Sequence, residues 1–338
     1  MKKKITDIIR VDSSLSTPIY RQIVQSVCEG IEKGRLHRND MLPSVNSIAE
    51  TFSLARGSVF TAYNDLRSSG IIDSIPGKGY FITSTTLNQK KHVFLLFDSL
   101  HERSCALYKS IAHHIGDSCK VDMYFHENDV KTFESRIKND AVHFNTFIIS
   151  PVSTADVSAI LSKLDNKHVF LLDAGYREYR KEYTGVFRNA EKELSHLFQH
   201  FGKNLVKYKR LFLLMRAGSS DISTIAAFKK LARNVDLPCE VVDVVAQDKI
   251  KKGDAYIIYD DALLVNVVKW CKAAGFKIGK DVGIISYFEN VLKEGVSEGI
   301  TTFSTDLEWM GKNVAQMVCS GGHASVEAPV HINDRFSF

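Results

Sequence analysis

The sequence lacks any long apolar run. No stretch approaches the roughly 18 consecutive apolar residues of a transmembrane helix, so we expect no membrane partner. The charged start Met1–Lys4 is like that of a signal peptide, but Asp7, Arg10 and Asp12 interrupt what would be its apolar core. We therefore expect a cytoplasmic protein.

Cysteine is scarce and scattered. The six cysteines form no Cys-x-x-Cys pair, and the histidines have no ligand spacing, which argues against a zinc site. Free thiols in a reducing cytoplasm fit this distribution. We expect neither a metal nor a cofactor.

Catalytic signatures are also missing. The sequence contains no Gly-x-Ser-x-Gly, no His-Glu-x-x-His and no phosphate-cradling Gly-x-x-x-x-Gly-Lys motif. The neighbouring carboxylates Asp260 and Asp261 would point to opposite faces of a strand, which makes them poor acid–base partners. We therefore expect that the chain is not an enzyme.

A helix-turn-helix pattern is present from Leu42 onward. Apolar residues recur at helical spacing in two neighbouring segments, Val45–Phe52 and Val59–Leu66. The segments are separated by the short turn Ser53-Leu54-Ala55, which is typical of this motif. An earlier apolar pattern from Pro18 to about Gly34 predicts a helix packed behind both, and residues 5–16 before it are predicted as a polar lead-in.

Two β-prone segments follow, Ile71–Ile75 and Tyr80–Thr83, joined by Pro76-Gly77-Lys78-Gly79. They predict a hairpin, and the helices with the hairpin predict a winged helix. The polar face of the second helix suits entry into the major groove, and Lys78 suits a phosphate contact. The formal net charge of +5 is consistent with DNA binding but does not establish it. The candidate DNA-binding residues are Ser44, Asn46, Arg56, Gly57, Ser58, Phe60, Thr61, Lys78 and Gly79.

Residues 17–83 resemble the winged-helix domain of GntR-type transcriptional regulators. The resemblance is carried by Pro18-Ile19-Tyr20, Gly34-Arg35-Leu36, Leu42-Pro43-Ser44, Ile48-Ala49, Arg56, Val59, Ala62-Tyr63, Leu66, Gly70-Ile71-Ile72 and Gly77-Lys78-Gly79-Tyr80-Phe81. The family often has Arg at the positions of Asn46 and Phe60, and Ser or Thr at that of Ala55. These departures imply an operator sequence different from the family's usual one.

From His92 the pattern changes to short apolar runs separated by helical periodicity. Continuous apolar strands alternating with helices predict an α/β domain with parallel sheets. The predicted strands are Val93–Phe97, Val121–Phe125, Phe147–Ile149, Val169–Leu172, Leu211–Met215, Val241–Val245, Tyr256–Tyr259 and Val282–Tyr287. The predicted helices are Leu107–Ile115, Val157–Leu164, Leu194–Phe201, Ile225–Leu231, Leu263–Ala274 and Leu307–Val318.

Polar residues follow these predicted strands, where ligands bind in open α/β sheets. Carboxylates, hydroxyls and an arginine are suited to bind sugar hydroxyls. Asp and Ser at strand ends also serve as helix caps in any α/β protein, which leaves a structural role open for each. The candidate effector-binding residues are Asp98, Ser99, His101, Glu102, Ser150, Asp173, Asn189, Arg216, Asp260, Glu289 and Thr305.

Residues 281–311 resemble the closing portion of LacI/GalR-type effector domains. Asp281-Val282, Ile285-Ser286-Tyr287, Ile300-Thr301-Thr302, Asp306 and Met310-Gly311 carry this resemblance. It implies the fold of periplasmic sugar-binding proteins over about residues 92–335. That family often places an effector-binding arginine where Thr224 stands here, and Arg216 is a substitute for it. The combination of both domains is similar to the arabinose-responsive repressors.

The sequence thus predicts a multidomain protein, with an α+β winged helix-turn-helix at residues 1–83, a linker at 84–91 and a two-lobed α/β effector domain at 92–338. Lobe 1 is expected at about 92–185 and 303–322, and lobe 2 at about 186–302 and 323–338. The resemblances imply a homodimeric repressor of double-stranded operator DNA, controlled by a monosaccharide similar to arabinose or fucose. The alternatives are a sugar-processing enzyme and a sugar sensor whose degenerate winged helix no longer binds DNA.

Overall fold

The structure is a computed structural model that describes residues 8–86, 91–153, 155–175, 179, 181–216, 222–322 and 324–338. It divides into two compact units. The first contains the chain up to Leu96, which includes the winged helix, together with residues 116–149 and 157–169, and the second contains residues 97–115, 150–156 and 170–338.

The winged helix has the three predicted helices and the predicted hairpin, and a short strand, Met41–Leu42, that was not predicted. These elements are α1 (Ile19–Glu32), β1 (Met41–Leu42), α2 (Val45–Thr51), α3 (Arg56–Ser68), β2 (Ile72–Ile75) and β3 (Gly79–Ile82). β3 pairs antiparallel with both β1 and β2, with Phe81 opposite Met41 and Asp73. The apolar faces of the helices meet in one core, and Tyr63 on α3 donates a hydrogen bond of 2.6 Å to the carbonyl oxygen of Pro43.

The segment Ile8–Thr17, which we call the arm, lies along α1. The sequence predicted a polar lead-in at residues 5–16, of which 5–7 lie outside the described residues. Ile8 and Ile9 are instead buried in the winged-helix core. The buried Gln22 side chain donates to the carbonyl oxygens of Asp12 and Thr17 and accepts from the Asp12 backbone N–H, which attaches the arm to α1.

The arm also joins the winged helix to residues 162–168 within the first unit, and we call this contact the joint. The Ser16 backbone N–H donates to the Lys163 carbonyl oxygen at 2.8 Å, and His168 lies 3.3 Å from the Glu29 carboxylate. A cavity of about 320 Å³ lies between the arm, α1 and residues 162–167.

The remainder of the first unit is α/β. Its strands are β4 (Lys91–Phe97), β5 (Cys119–Phe125) and β6 (Thr146–Ile149), in the order β6-β4-β5, and β4 runs parallel to β6. α4 (Glu102–Ile115), which follows β4 along the chain, belongs to the second unit. In the first unit, α5 (Val130–Ser135) follows β5 and is continued by a π-helical turn at Arg136–Asp140, and α6 (Ser158–Leu161) follows β6.

The second unit contains strands of two sheets. One group is β7 (Val169–Gly175), β8 (Thr184–Arg188) and β14 (Ser325–Glu327), in the order β14-β8-β7. The other sheet has the order β10-β9-β11-β12-β13-β15 and consists of β9 (Arg210–Leu214), β10 (Cys239–Val242), β11 (Asp254–Ile258), β12 (Gly283–Tyr287), β13 (Thr301–Thr305) and β15 (Val330–Asn333).

Helices cover both faces of the β9–β13 sheet. They include α7 (Ala190–Leu205), α8 (Ile222–Ala232), α9 (Asp261–Ala273) and the short α10 (Leu292–Gly295). The helix α11 (Leu307–Ser320) contributes to neither core of this sheet. Leu211 and Leu213 of β9 enter one core while Phe212 and Leu214 enter the other, as the alternation of side chains along a strand requires. α11 packs on α4, where a Cβ at Gly311 would clash with the Ser110 hydroxyl.

The strand pairings differ from the predicted lobe boundaries. β8 pairs with β7 although residues from 186 onward were expected in lobe 2, and β14 pairs with β8 although 323–338 were expected there. β13 at Thr301–Thr305 joins the β9–β13 sheet. The short strands β8 and β14 and the threonine-rich β13 lack the continuous apolar runs that identified the others.

Candidate functional site

The outer face of α3 is the candidate DNA-reading surface. The helix buries Val59, Ala62, Tyr63 and Leu66, so the opposite side is left to solvent. There Arg56, Gly57, Phe60 and Thr61 are exposed, and Ser58 is half-buried. The Thr61 hydroxyl donates to the Gly57 carbonyl oxygen at 2.9 Å.

Asn46 on α2 and Lys78 at the hairpin tip are also exposed. Lys78 stands between Gly77 at φ 75° and Gly79 at φ 109°, a left-handed backbone that favours glycine. Ser44 accepts a hydrogen bond of 3.1 Å from the Ser47 backbone N–H, so its side chain caps α2. Ala55 occupies the corresponding position of α3 without a side-chain cap.

The candidate effector site is built around the buried ring of Tyr287 at the end of β12. Tyr259 stacks on this ring with centroids 4.5 Å apart. The guanidiniums of Arg188 and Arg103 lie 5.0 and 5.9 Å from the ring centroid. Burial raises the pKa of the Tyr287 hydroxyl, so the ring stays neutral. A cation over a tyrosine face is an electrostatically favourable arrangement.

Each guanidinium is matched by a carboxylate. Arg103 on α4 makes a bidentate pair with Asp173 on β7, with one hydrogen bond of 2.8 Å. Burial lowers the pKa of Arg103, but the Asp173 carboxylate outweighs this and holds the pKa above its usual value. Asp173 has a φ of 60°, a conformation that aspartate tolerates better than most residues.

Arg188, the last residue of β8, makes the second pair. Its side chain is 12% exposed and donates to both oxygens of Glu193, which is 2% exposed. Glu193 also accepts from the Thr305 hydroxyl at 3.0 Å. Arg188 further donates to the Thr224 hydroxyl at 3.0 Å. Thr224 stands where LacI/GalR-type domains often have an effector-binding arginine. We call Arg103, Asp173, Arg188, Glu193, Thr224, Tyr287 and Thr305 the Tyr287 cluster.

A second polar group adjoins it along α4. The Asn290 amide donates to Glu102 at 3.1 Å and to Asp261 at 3.2 Å, and the buried Lys293 ammonium lies 2.9 Å from Asp261. Lys293 also donates to the carbonyl oxygens of Tyr287 and Phe288. Since Glu102 directly precedes Arg103, the first turn of α4 contributes to both groups. We call Glu102, Asp261, Asn290 and Lys293 the Asn290 cluster.

Five predicted residues enter these networks or lie beside them. Asp173, Thr305 and Glu102 are members. Asp98 and His101 lie 3.3 Å apart just before α4. Burial raises the pKa of the Asp98 carboxyl, but the hydrogen bond with His101 outweighs burial, so the pKa is lowered. The same hydrogen bond raises the pKa of His101. Ser99 and Ser150 are half-buried at the ends of β4 and β6.

Other predicted residues are engaged elsewhere. Asn189 and Asp260 cap α7 and α9 through their side chains, which is the structural role that the sequence left open. Arg216 is 69% exposed and pairs with Asp260. Glu289 accepts hydrogen bonds from Arg335, Thr302 and Asn333. Burial raises the pKa of Glu289, but the hydrogen bonds from Arg335 outweigh burial, so the pKa is lowered. The structure therefore does not bring Glu289 or Arg216 to the Tyr287 cluster.

Several residues of the site were not predicted, namely Arg103, Arg188, Glu193, Tyr287, Asn290 and Lys293. Arg188 was missed because β8 was not recognised as a strand. Arg103 and Asn290 each directly follow a predicted residue, Glu102 and Glu289, so the sequence pointed to the segments that supply these two side chains but not to the side chains themselves. For the buried Glu193 and Lys293, the sequence offers no signal, because their partners are distant along the chain.

Comparisons with known proteins match each part separately. The gntR family of bacterial regulatory proteins matches residues 19–82, and a periplasmic binding protein-like domain matches residues 208–332. The HTH-type transcriptional repressor YtrA of Bacillus subtilis (strain 168) is 38% identical over 87 residues, covering 25% of this chain and 67% of YtrA. The mannosyl-D-glycerate transport/metabolism system repressor MngR of Escherichia coli (strain K12) is 31% identical over 81 residues, covering 24% of this chain and 34% of MngR.

Solved structures match a larger share of the chain. A dimeric Lac repressor with an 11-residue C-terminal deletion has a TM-score of 0.61 at 15% identity and covers 73% of this chain and 98% of its own. The trehalose repressor from Escherichia coli has a TM-score of 0.60 at 12% identity, covering 72% of this chain and all of its own. At these identities the likeness shows the fold.

The fold and the two sites define a regulator with an N-terminal winged helix and a two-lobed α/β domain of the periplasmic-binding-protein type. The sequence match to YtrA assigns the chain to a family. The chain belongs to the gntR family of bacterial regulatory proteins. Within the described parts of the chain, the helices are too short or too polar to cross a membrane.

Proposed function

We propose that this chain is a transcriptional repressor that binds operator DNA as a homodimer and releases it when a neutral monosaccharide binds at the Tyr287 and Asn290 clusters. The observation that carries the proposal is that both guanidiniums beside Tyr287 are already paired with carboxylates. The exposed face of α3, and the similarity of the chain to proteins named as repressors, support the DNA-binding part of the proposal.

The charges of the site favour a neutral ligand. Each guanidinium near Tyr287 already faces a carboxylate, and the Asn290 cluster adds two carboxylates against the single ammonium of Lys293. Among the described residues of the two clusters, a phosphate or carboxylate ligand would therefore meet no uncompensated cation. Paired carboxylates and guanidiniums can instead share their remaining lone pairs and N–H groups with hydroxyls.

The aromatic surface favours a ring-shaped polyol. Tyr259 stacks on Tyr287 with ring centroids 4.5 Å apart, and Phe303 meets both rings edge-on at 5.2 and 5.7 Å. A sugar presents C–H groups on one side and hydroxyls around its rim, which suits an apolar ring surrounded by hydrogen-bonding groups. An aldopentose or deoxyhexose similar to arabinose or fucose fits this description.

On the DNA side, two copies of α3 would enter successive major grooves of a palindromic site, about one helical turn apart. Arg56 would pair with a guanine edge, and Lys78 would contact a phosphate. The sugar then changes operator affinity only by the ratio of its affinities for the two conformations, roughly 5- to 150-fold for a typical coupling.

Calorimetric titration of the purified protein with neutral monosaccharides and with their phosphates tests the ligand class. The proposal predicts binding of a neutral sugar and no binding of the matching sugar phosphate. Preference for the phosphate would contradict the charge argument, and turnover of any sugar would restore the enzyme alternative. Electrophoretic shifts with sites selected from random duplexes test DNA binding separately.

A further inference from the structure

Phe60 is an exposed aromatic residue in the middle of a polar helix face. Its side chain is on α3, and 52% of the residue is exposed. A single exposed apolar residue is ordinary on a protein surface. Phe60 is distinguished by its neighbours, because Arg56 and Asn64 lie one turn before and one turn after it on the same ridge of the helix.

These neighbours have base-reading chemistry. Arginine pairs with the acceptor edge of guanine, and asparagine pairs with adenine in the major groove. A phenyl ring between them has no donor or acceptor for the remaining polar groups of a base edge. The one apolar group that bases present in this groove is the 5-methyl group of thymine.

We propose that Phe60 is a specificity-determining residue that reads the 5-methyl group of a thymine in each operator half-site. The assignment rests on the proposed DNA-binding function and deepens it. The thymine is located between the bases that Arg56 and Asn64 contact. Because contact with the methyl group removes apolar surface from water, its loss weakens binding by about three- to fivefold per half-site.

The experiment uses the full-length protein and an operator selected from a random duplex library. Each thymine is then replaced by deoxyuridine, which removes only the methyl group, and affinity is measured by fluorescence anisotropy. Wild-type protein is expected to lose about three- to fivefold at one thymine per half-site. Phe60→Ala is expected to bind the thymine and uracil duplexes equally, and Phe60→Leu to retain part of the preference.

A matched control is Phe336→Ala, which removes an exposed phenylalanine from the other unit and should leave the thymine preference unchanged. Indifference of the wild type to every replacement, or an equal preference in Phe60→Ala, would overturn the assignment. A thymine preference seen only at a kinked minor-groove step would also overturn it and identify Phe60 as a wedge. If no sequence is selected at all, the proposed function itself fails.

Discussion

At the scale of single residues, the proposed effector site contains two guanidinium–carboxylate pairs around one tyrosine ring. Each side chain is held by a partner from another element: Arg103 on α4 by Asp173 on β7, and Arg188 on β8 by Glu193 on α7. Such mutual restraint fixes the donors before a ligand arrives, which reduces the entropy that binding costs.

Asp173→Asn tests this restraint. Asparagine tolerates the φ of 60° at this position, so the change chiefly removes the charge that orients Arg103. We expect sugar affinity to fall tenfold or more, about 1.4 kcal/mol, in calorimetric titrations. Asp236→Asn, at an exposed aspartate, is the matched control. Wild-type sugar affinity in Asp173→Asn would mean that Arg103 does not contact the ligand.

Arg56→Ala tests the DNA-reading face. Loss of an arginine–guanine pair is expected to weaken operator binding roughly 5- to 150-fold, because such a pair discriminates by about 1–3 kcal/mol. Sugar affinity should stay unchanged, since Arg56 is far along the chain from the effector residues. Arg233→Ala, an exposed arginine outside the winged helix, should leave both affinities intact. A parallel loss of sugar affinity would refute the separation of the two sites.

Single residues show where sequence reasoning succeeds and fails. The α3 face follows from helical periodicity alone, because burial of Val59 and Leu66 determines which side remains exposed. In the effector site, periodicity identifies strand ends but not side-chain partners. Arg188 and Glu193 meet through a turn that periodicity does not describe, and the capping roles of Asn189 and Asp260 depend on helix starts that it places only approximately.

At the scale of elements, the two helices of the helix-turn-helix differ at their first turns. Ser44 caps α2, whereas Ala55 leaves the start of α3 without a side-chain acceptor. Ala55 already has the extended backbone of an N-cap residue, with φ −65° and ψ 130°. The recognition helix is therefore less stable at its DNA-reading end than it could be.

Ala55→Ser is accordingly expected to stabilise the start of α3 by about 1 kcal/mol, and Ser44→Ala to destabilise α2 by a similar amount. Native-state hydrogen exchange of the full-length protein measures both, through the backbone amides of the first helical turns. Unchanged protection of the Ser58 amide in Ala55→Ser would show that the new hydroxyl does not cap the helix.

The joint is the contact between the winged helix and residues 162–168. Glu29 is the charged residue at the centre of the joint. The hydrogen bond from His168, together with Lys33, lowers the pKa of Glu29 to about 2, because these interactions outweigh the effect of burial, which raises it. A lowered folded-state pKa means that Glu29 stabilises the protein above its ordinary pKa of 4.5. That contribution is lost as the pH falls from there toward about 2.

Glu29→Gln should therefore lower the free energy of unfolding near neutral pH. At the acid end of this range, the mutant and the wild type should have equal free energies of unfolding. Urea unfolding at a series of pH values measures both. We also expect a smaller effect of sugar on operator affinity, because the joint is a direct connection of α1 to the α/β fold. Glu32→Gln, on the same helix, is the control. Undiminished sugar coupling would remove the joint from the signalling route.

Element prediction was accurate where apolar runs are continuous. The strands β4, β9, β11 and β12 are buried on both faces, so the sequence displays them plainly. The arm was predicted as a polar lead-in because only Ile8 and Ile9 enter the core, and two residues establish no period. β8, β13 and β14 carry glycine, threonine or a charge where the others are apolar.

At the scale of the whole molecule, the candidate DNA-reading surface and the candidate effector site occur in separate parts of one chain. The winged helix with its family match and the α/β part with its fold match were both predictable, because each has a long, regular pattern. Which residues face the ligand was predictable only to the level of loops. The account's central claim concerns the linkage between the two sites.

That linkage is measured directly by the operator affinity of the full-length protein with and without saturating neutral monosaccharide, using fluorescence anisotropy at fixed salt. The account predicts that one neutral sugar weakens operator binding roughly 5- to 150-fold. It also predicts that Asp173→Asn binds the operator normally and loses this response. Tight, specific DNA binding that no neutral sugar alters would contradict the account.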